Sequence, residues 1–155
     1  TDITYIITPL KTYYLCAIMD LCGRYIVAYR LGTEITATLV SDTVREAFSR
    51  EKGKVANGLV LHSDQGCQYT SEEYFALTQE YHFAASMSRR GCPYDNAPME
   101  RYYNTLKNEL INHHYYHSEK ELYEAVEEFA YVHYNHIRPH SYNNYKTPFE
   151  ARYGS

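Results

Sequence analysis

The sequence has no tryptophan, no C-x-x-C pair, and no apolar run near the roughly 18–20 residues that a membrane span requires. These absences argue against a membrane-spanning helix and against a cysteine-based zinc finger. The four cysteines are even in number, but a chain of 155 residues does not need disulfides to be stable. We therefore expect reduced thiols in a cytoplasmic protein with no membrane partner.

The residues that are present fit one globular domain, since 45% are hydrophobic and 22% are charged. The 19 tyrosines are spread along the whole chain, which favours packing over a dedicated stacking surface for most of them. The net charge of −4 opposes binding to nucleic acid, although two divalent cations would offset it. Because the sequence opens inside a strand-like segment, we expect residues 1–155 to be one domain of a longer protein, with an N-terminal DNA-binding region absent.

The order of apolar patterns predicts a single α/β domain with a mixed sheet covered by helices. Alternating and apolar runs predict strands at 3–7, 13–20, 25–31, 58–62 and 82–86. Helical spacing predicts helices at about 36–50, 71–81, 97–110 and 118–137. The first three strands are joined by short turns, so we expect them to form an antiparallel meander.

Several residues are typical of helix ends. Thr70 with Glu73, and Ser118 with Glu121, fit the spacing of a capping box. Asp95 or Asn96 is expected to cap the helix that follows, in preference to a direct DNA contact. Pro139 is expected to end the last long helix at the residue before it.

Three acidic residues stand where an α/β sheet builds ligand sites. Asp2 begins the first strand, Asp64 directly follows a short apolar strand, and Glu100 lies on a predicted helix. Carboxylates that converge repel one another unless a cation lies among them. Carboxylate oxygens suit Mg²⁺ or Mn²⁺, and two such ions can activate a water or a 3′-hydroxyl for attack on a phosphodiester. Taken singly, each of these acids is more often a solvated surface residue.

Basic and polar residues beside the acids are candidate DNA contacts. On the helix of Glu100, Asn104 and Lys107 fall on the same polar face, beside an apolar face that includes Leu106. Lys107 would face the DNA backbone as a point charge. Arg89 and Arg90 lie in a predicted loop over 88–98, where gripping a phosphate and ordinary surface charge are equally expected.

At these positions the sequence resembles the bacterial insertion-sequence transposases nearest to retroviral integrases, of the IS-three family. The matching blocks, in order, are TDITY at 1–5, HSDQGCQY at 62–69, SMSRRG at 86–91, DNAPME at 95–100, LKNE at 106–109, YN at 134–135, RPHS at 138–141 and TPFEA at 147–151. Between Asp64 and Glu100 lie 35 residues, the spacing of that family's Asp-Asp-Glu triad, and Lys107 follows Glu100 by seven. The residues GCPY at 91–94 differ from those that are more common at these positions in the family.

The resemblance implies a ribonuclease H-like fold, with a five-stranded mixed sheet and helices on both faces. It implies a transposase catalytic core that hydrolyses and transfers DNA strands, with Asp2, Asp64 and Glu100 as catalytic residues that hold two Mg²⁺ or Mn²⁺ ions. The implied partners are the DNA ends of an element, its target DNA, and further copies of the chain in a homo-oligomer on DNA. The resemblance also implies a bacterial protein that associates with the nucleoid. No covalent protein–DNA intermediate is expected.

Two other functions remain open, a catalytically idle DNA-binding or oligomerisation module and a nuclease that only cleaves. The intact set of acids disfavours the first, and the transposase-like blocks disfavour the second.

Single residues also have alternative interpretations. Asp20 is expected to be a turn acid in preference to a fourth ligand, and His113 with His117 lack partners for a zinc site. Tyr102 and Tyr103 are expected in the core or a groove.

Overall fold

The computed structural model describes residues 1–154 and contains five strands in two ladders. The strands are β1 (Asp2–Ile7), β2 (Thr12–Asp20), β3 (Tyr25–Gly32), β4 (Val60–Ser63) and β5 (Ala84–Met87). Strands β1, β2 and β3 form an antiparallel sheet with β2 in the centre, and β4 pairs with β5 in parallel. The two ladders meet where the Thr1 backbone nitrogen donates to the His62 carbonyl at 2.8 Å. Antiparallel strands followed by parallel strands are the order that the sequence predicts.

Strand β2 is the centre of the fold because both of its faces are buried. Leu15, Ala17 and Met19 belong to one hydrophobic core, whereas Cys16 and Ile18 belong to a second core on the opposite face. This alternation follows from the two-residue period of a strand. It explains why the segment has almost no polar residue, since a strand covered on both sides has no face for water.

Helices cover both faces of the sheet. They are α1 (Ala37–Arg50), α2 (Glu72–Tyr81), α3 (Ala97–Glu109), α4 (Glu119–Glu127) and α5 (Pro148–Tyr153), with a π-helical segment at Glu128–Ile137. The first core lies between the sheet and α3, α4 and the π-helical segment, and the second lies against α1 and α2. No helix in this part of the chain is long and apolar enough to cross a membrane.

The helix ends differ in detail from the sequence-based expectation. Ser71, and not Thr70, caps α2, and its hydroxyl accepts from the Tyr74 nitrogen. Ser118 does cap α4, but the Glu121 carboxylate accepts from His117 instead of returning to Ser118. The capping box of the C-terminal region lies at Thr147 with Glu150, and it starts helix α5, which the hydrophobic pattern does not reveal because it has only six residues.

The predicted helix over 118–137 is α-helical only to Glu127, and then widens into the π-helical segment. The π-helical segment is joined to the edge strand β3 by side-chain hydrogen bonds. The Asn135 side chain accepts from the Ile26 nitrogen at 2.9 Å and donates to the Ile26 carbonyl at 3.0 Å. Asn135 and Ile26 are both fully buried, so this amide supplies hydrogen bonds to a backbone nitrogen and a carbonyl that water does not reach. The π-helical segment ends at Ile137, and Arg138 is extended, as Pro139 requires.

The RPHS block at 138–141 fastens the end of this segment to helix α3. The Arg138 guanidinium contacts the Glu109 carboxylate at 2.7–3.0 Å through two nitrogens. The His140 ring lies edge-on to Tyr134, with ring centroids 4.6 Å apart. These contacts give Arg138 and His140 a structural role in closing the first core, which the sequence alone leaves undefined.

Candidate active site

Asp2 lies at the start of β1, where two other elements fix the backbone. The Thr1 nitrogen donates to His62 on β4, and the buried Asn96 amide donates to the Thr1 carbonyl at 3.1 Å. The Asp2 side chain is half-buried, and one of its oxygens accepts from the Ile3 nitrogen at 2.8 Å. The start of the strand is therefore held from both sides, which places the Asp2 carboxylate at the junction of the two ladders.

Asp64 follows β4 in a tight turn whose shape depends on a glycine. Its Oδ1 accepts from the Gly66 nitrogen at 2.8 Å, so the carboxylate folds back on its own backbone, and the residue is exposed. A β-carbon added at Gly66 would lie 2.9 Å from that same Oδ1 and 3.0 Å from the Gln68 side-chain oxygen. The glycine in the block HSDQG thus leaves room for the Asp64 carboxylate.

Glu100 lies in the first turn of α3, and the next turn anchors the helix to the strand of Asp2. The hydroxyl of the buried Tyr103 donates to the Asp2 carbonyl and accepts from the Ala17 nitrogen at 3.2 Å. Met99 and Leu106 are buried on the same side, and Glu100 is exposed. The predicted division of this helix into a core face and a polar face is confirmed.

The three acids line one cleft of about 400 Å³. The rest of its lining comes from the turn after Asp64 and from the loop after β5, namely Gln65, Gly66, Ser88, Arg89, Arg90, Gly91, Cys92, Pro93 and Asn96. The pKa of Asp2 is raised to about 6, first by burial and then by repulsion from Asp64 and Glu100. The carboxylates therefore share one electrostatic environment.

The three carboxylates lie too far apart in this structure to ligate a common metal ion. Within residues 1–154, no group of three or more His, Cys, Asp or Glu side chains is arranged to hold an ion, and this includes the histidines at 113, 114 and 117. Asp20 is the expected turn acid, since it accepts from the Cys22 nitrogen and pairs with Arg152 at 2.7 Å. The cleft supplies three carboxylates that face one space.

A salt bridge shapes the loop after β5. Asp95 accepts from the Arg89 backbone nitrogen at 2.8 Å and from its guanidinium at 3.0 and 3.1 Å. These contacts lower the pKa of Asp95 to about 2. The expectation that Asp95 or Asn96 caps α3 is confirmed for the position of Asn96, but neither side chain makes a capping hydrogen bond. Asn96 occupies the cap position, but its amide is drawn to the Thr1 carbonyl, and Asp95 is drawn to Arg89.

The candidate DNA contacts divide into two groups. Arg89 and Arg90 line the cleft, whereas Lys107 and Asn104 lie further along α3 and do not. The Lys107 ammonium donates to the Thr4 hydroxyl at 2.9 Å and lies 4.7 Å from the centre of the Tyr5 ring. Asn104 is exposed on the polar face.

The sequence does not predict the role of three residues that position the acids. Asn96 and Tyr103 tie α3 to β1, and the His62 ring bridges Ser86 at 2.8 Å and Ser88 at 3.0 Å on the neighbouring strand. All three lie within four residues of a candidate catalytic acid, and this proximity is the signal in the sequence that could have found them. Their partners are 24 to 101 residues away, so spacing alone does not name the contact.

We expect Gly66→Ala to reduce any activity of the cleft strongly while the protein stays folded. The added methyl group would displace the Asp64 carboxylate from its turn, and a misplaced catalytic group costs on the order of a hundredfold in rate. DNA cleavage assays with thermal unfolding of the same variant measure both effects. The matched control is Gly32→Ala, since Gly32 does not have a positive φ and an added β-carbon there would lie 3.4 Å from the Leu39 side chain, which is an ordinary contact. Equal activity of Gly66→Ala and wild type would show that Asp64 does not need this turn.

Comparison with known proteins gives two matches to the Integrase core domain, at residues 1–93 and 81–148. The transposase for insertion sequence element IS904 of Lactococcus lactis is 39% identical over 147 residues, which cover 95% of this chain and 57% of that protein. The transposase InsF for insertion sequence IS3A of Escherichia coli is 33% identical, over 91% of this chain and 48% of its own length. The chain thus spans about half the length of these relatives.

Solved structures agree on the fold. The catalytic core domain of HTLV-2 integrase, in complex with magnesium in a trimeric form, superposes with a TM-score of 0.71 at 20% identity, over 97% of this chain and 91% of that one. The Mos1 transposase catalytic domain, solved with Raltegravir and Mn, gives 0.65 at 14% identity, over 83% and 69% of the two chains. These likenesses confirm the ribonuclease H-like fold that the sequence predicts.

Proposed function

Because this chain belongs to the integrase core family of insertion-sequence transposases, we propose that it is a transposase catalytic core with Asp2, Asp64 and Glu100 as its catalytic residues. The proposed reaction hydrolyses a phosphodiester at an element end to expose a 3′-hydroxyl, and then joins that hydroxyl to target DNA. The observation that carries the proposal is that three acids, separated by up to 98 residues of sequence, line one cleft. Their order and spacing are those expected of the family's triad.

The side chains of the cleft fit a divalent cation by chemistry. Carboxylate oxygens are the ligands that Mg²⁺ and Mn²⁺ prefer. The pKa of Asp2 is raised first by burial and then by repulsion from Asp64 and Glu100, and a bound cation would relieve that repulsion. We propose that Asp2, Asp64 and Glu100 hold two such ions. Bound there, the ions would supply charge neutralisation and a more acidic water or hydroxyl. Binding would require the carboxylates to approach one another more closely than they do without it.

The remaining residues of the cleft position these acids and the DNA. Gly66 allows the Asp64 turn, Tyr103 and Asn96 hold β1 against α3, and Asp95 fixes the loop through Arg89. Because the Arg89 guanidinium is engaged by Asp95, Arg90 is the freer of the two arginines for a phosphate. Catalysis of this kind depends mostly on positioning and charge stabilisation, and these contacts provide the positioning.

Lys107 is proposed to contact the DNA backbone beside the cleft, and Asn104 to contact it from the adjoining position. No carboxylate pairs with Lys107 among residues 1–154, so its charge is available to a phosphate. We expect Lys107→Ala to weaken DNA binding uniformly across sequences and to reduce the salt slope of binding by about 1. Fluorescence anisotropy at several salt concentrations measures this, with Lys120→Ala as the control. A slope equal to that of the control would remove Lys107 from the interface.

A strand-transfer assay with element-end DNA in Mg²⁺ or Mn²⁺ tests the proposed function. Joined product supports a transposase core that works in these conditions as a homo-oligomer or as a single chain. Cleavage without joining would instead support a ribonuclease H-like nuclease. DNA binding without either reaction would support a catalytically idle module.

A further inference from the structure

A second surface of the protein combines positive charge with exposed tyrosine rings, away from the acidic cleft. It consists of Arg24 in the turn between β2 and β3, Arg101 on α3, and Tyr142, Tyr145 and Lys146 in the loop before α5. We call these five residues the basic tyrosine surface. Tyr142 is 63% exposed and Tyr145 is 76% exposed, although neither ring is needed to cover a core.

The parts of this surface are held together by specific contacts. The Asn143 side chain is buried and donates to the Gly23 carbonyl at 2.8 Å, which docks the loop on the β2–β3 turn. The Arg24 guanidinium lies 4.0 Å from the centre of the Tyr142 ring. Burial, and then the charge of Arg138, lower the pKa of His140 to about 4, and the charges of Arg101 and Arg24 act in the same direction.

The charges on this surface are only partly balanced. Glu109 offsets Arg138. The pKa of Glu150 is lowered first by hydrogen bonds from Thr147 and then by the charge of Lys146, so Glu150 partly offsets that lysine. In the described part of the chain Arg24 and Arg101 make no ion pair, and one Arg24 nitrogen is buried without a hydrogen-bond partner. A protein with a net charge of −4 therefore presents a local excess of positive charge here.

The loop keeps an unfavourable backbone conformation at an exposed tyrosine. Asn144 and Tyr145 both have left-handed conformations, with φ of 54° and 64°. Asparagine tolerates this conformation, but a bulky residue such as Tyr145 does so only at a cost. Because the ring contributes little to the interior, folding alone does not account for a tyrosine at this position. Strain of this kind often accompanies a functional role.

The surface lies within reach of DNA bound at the cleft. Arg101 directly follows Glu100 on α3, and both are exposed. Ala17, the β2 partner of Asp2, lies three residues before the end of that strand, so the β2–β3 turn begins roughly 10 Å beyond the level of Asp2. Each strand of a duplex carries a phosphate about every 3.4 Å along the axis, so one DNA molecule can contact both places.

We infer that the basic tyrosine surface binds the phosphodiester backbone of the DNA outside the cleft, with Tyr145 stacking on an unpaired base or sugar. This inference rests on the proposed function, because it takes DNA as the partner. Positive charge with interleaved aromatic rings is the chemistry that recognises nucleic acid without reading its sequence.

The test compares two double variants that remove the same charge. Arg101→Ala with Lys146→Ala removes two cations of the surface, and Lys52→Ala with Lys120→Ala removes two exposed cations elsewhere. Binding of a labelled duplex is measured in EDTA at several salt concentrations. The surface variant should reduce the salt slope by about 2, since each phosphate contact contributes about 0.9. Equal slopes for the two double variants would overturn the inference.

Tyr145→Asn separates a binding role from a structural one. Asparagine relieves the strain, so the melting temperature should rise, while affinity for single-stranded DNA should fall by about fivefold or more. Tyr115→Asn replaces a tyrosine that is 83% exposed elsewhere and should leave the affinity unchanged. A Tyr145→Asn variant with wild-type affinity would overturn the role of Tyr145.

Strand transfer by the same proteins in Mn²⁺ distinguishes the two proposals. If wild type joins DNA but the surface variants bind like their controls, the surface is wrong and the function stands. If the surface variants bind weakly but no protein joins or cuts DNA, the surface stands and the proposed function fails.

Discussion

Asp64→Asn should abolish strand transfer and leave the fold intact. The amide has the shape of the carboxylate and can still accept the hydrogen bond from Gly66, so the turn after β4 is preserved. It lacks the negative charge that a divalent cation requires. Since charge stabilisation by bound metal contributes several kcal/mol, the rate should fall on the order of a thousandfold or more. A gel assay of joined product, with thermal unfolding of the same sample, measures both parts of the prediction.

The matched control is Asp42→Asn, which changes the charge equally at an exposed position on α1 that pairs only with Arg45 at 3.5 Å. It should join DNA at the wild-type rate. Removing the charge of Asp64 should also bring the pKa of Asp2 back toward its usual value, because Asp64 repels that carboxylate. Strand transfer by Asp64→Asn at the rate of the control would mean that Asp64 is not catalytic.

Asn135→Ala should have the largest effect on stability of any single amide substitution in the first core. It leaves the buried nitrogen and carbonyl of Ile26 without the two hydrogen bonds that Asn135 makes. An unsatisfied buried group costs about 1–3 kcal/mol, so we expect the free energy of unfolding to fall by roughly 2–5 kcal/mol. This is a large part of the 5–15 kcal/mol that is typical of a domain. Urea denaturation measures the loss as a lower midpoint with an unchanged slope.

Asn112→Ala is the control, because Asn112 is exposed and contacts only Asn108 at 3.4 Å. Its free energy of unfolding should stay within about 0.5 kcal/mol of that of wild type. If Asn135→Ala and Asn112→Ala are equally stable, the tie between the π-helical segment and β3 is not what holds this edge of the sheet.

Local patterns predict those parts of the fold that depend on neighbours in sequence. The apolar run at 13–20 predicts a strand, and β2 forms there, with Leu15 and Cys16 in opposite cores. The helical spacing around Glu100 predicts the buried face of α3 correctly. Asp2 and Asp64 follow from a general rule, since the ends of neighbouring strands meet at one edge of a sheet, whereas Glu100 follows from the polar face of its helix. The structure places all three around one cleft.

Distant contacts decide the features that the sequence leaves open. Asn96 has the character of a helix cap, but a carbonyl 95 residues away takes its amide group. Neighbouring residues do not predict the change from α-helix to π-helix after Glu127, because the hydrogen bonds that hold this segment join Asn135 to Ile26, far away in sequence. Arg138 acquires its role from Glu109, 29 residues earlier. In each case a buried or half-buried polar group chooses its partner by the geometry of the folded chain.

The most direct measurement is the anomalous diffraction of crystals soaked in Mn²⁺. If Asp2, Asp64 and Glu100 form the catalytic site, Mn²⁺ will give density in the cleft with carboxylate oxygens of Asp2 and Asp64 as ligands and Glu100 turned inward. Saturating Mn²⁺ that leaves the three carboxylates apart, with density only elsewhere on the protein, would contradict the proposed catalytic centre.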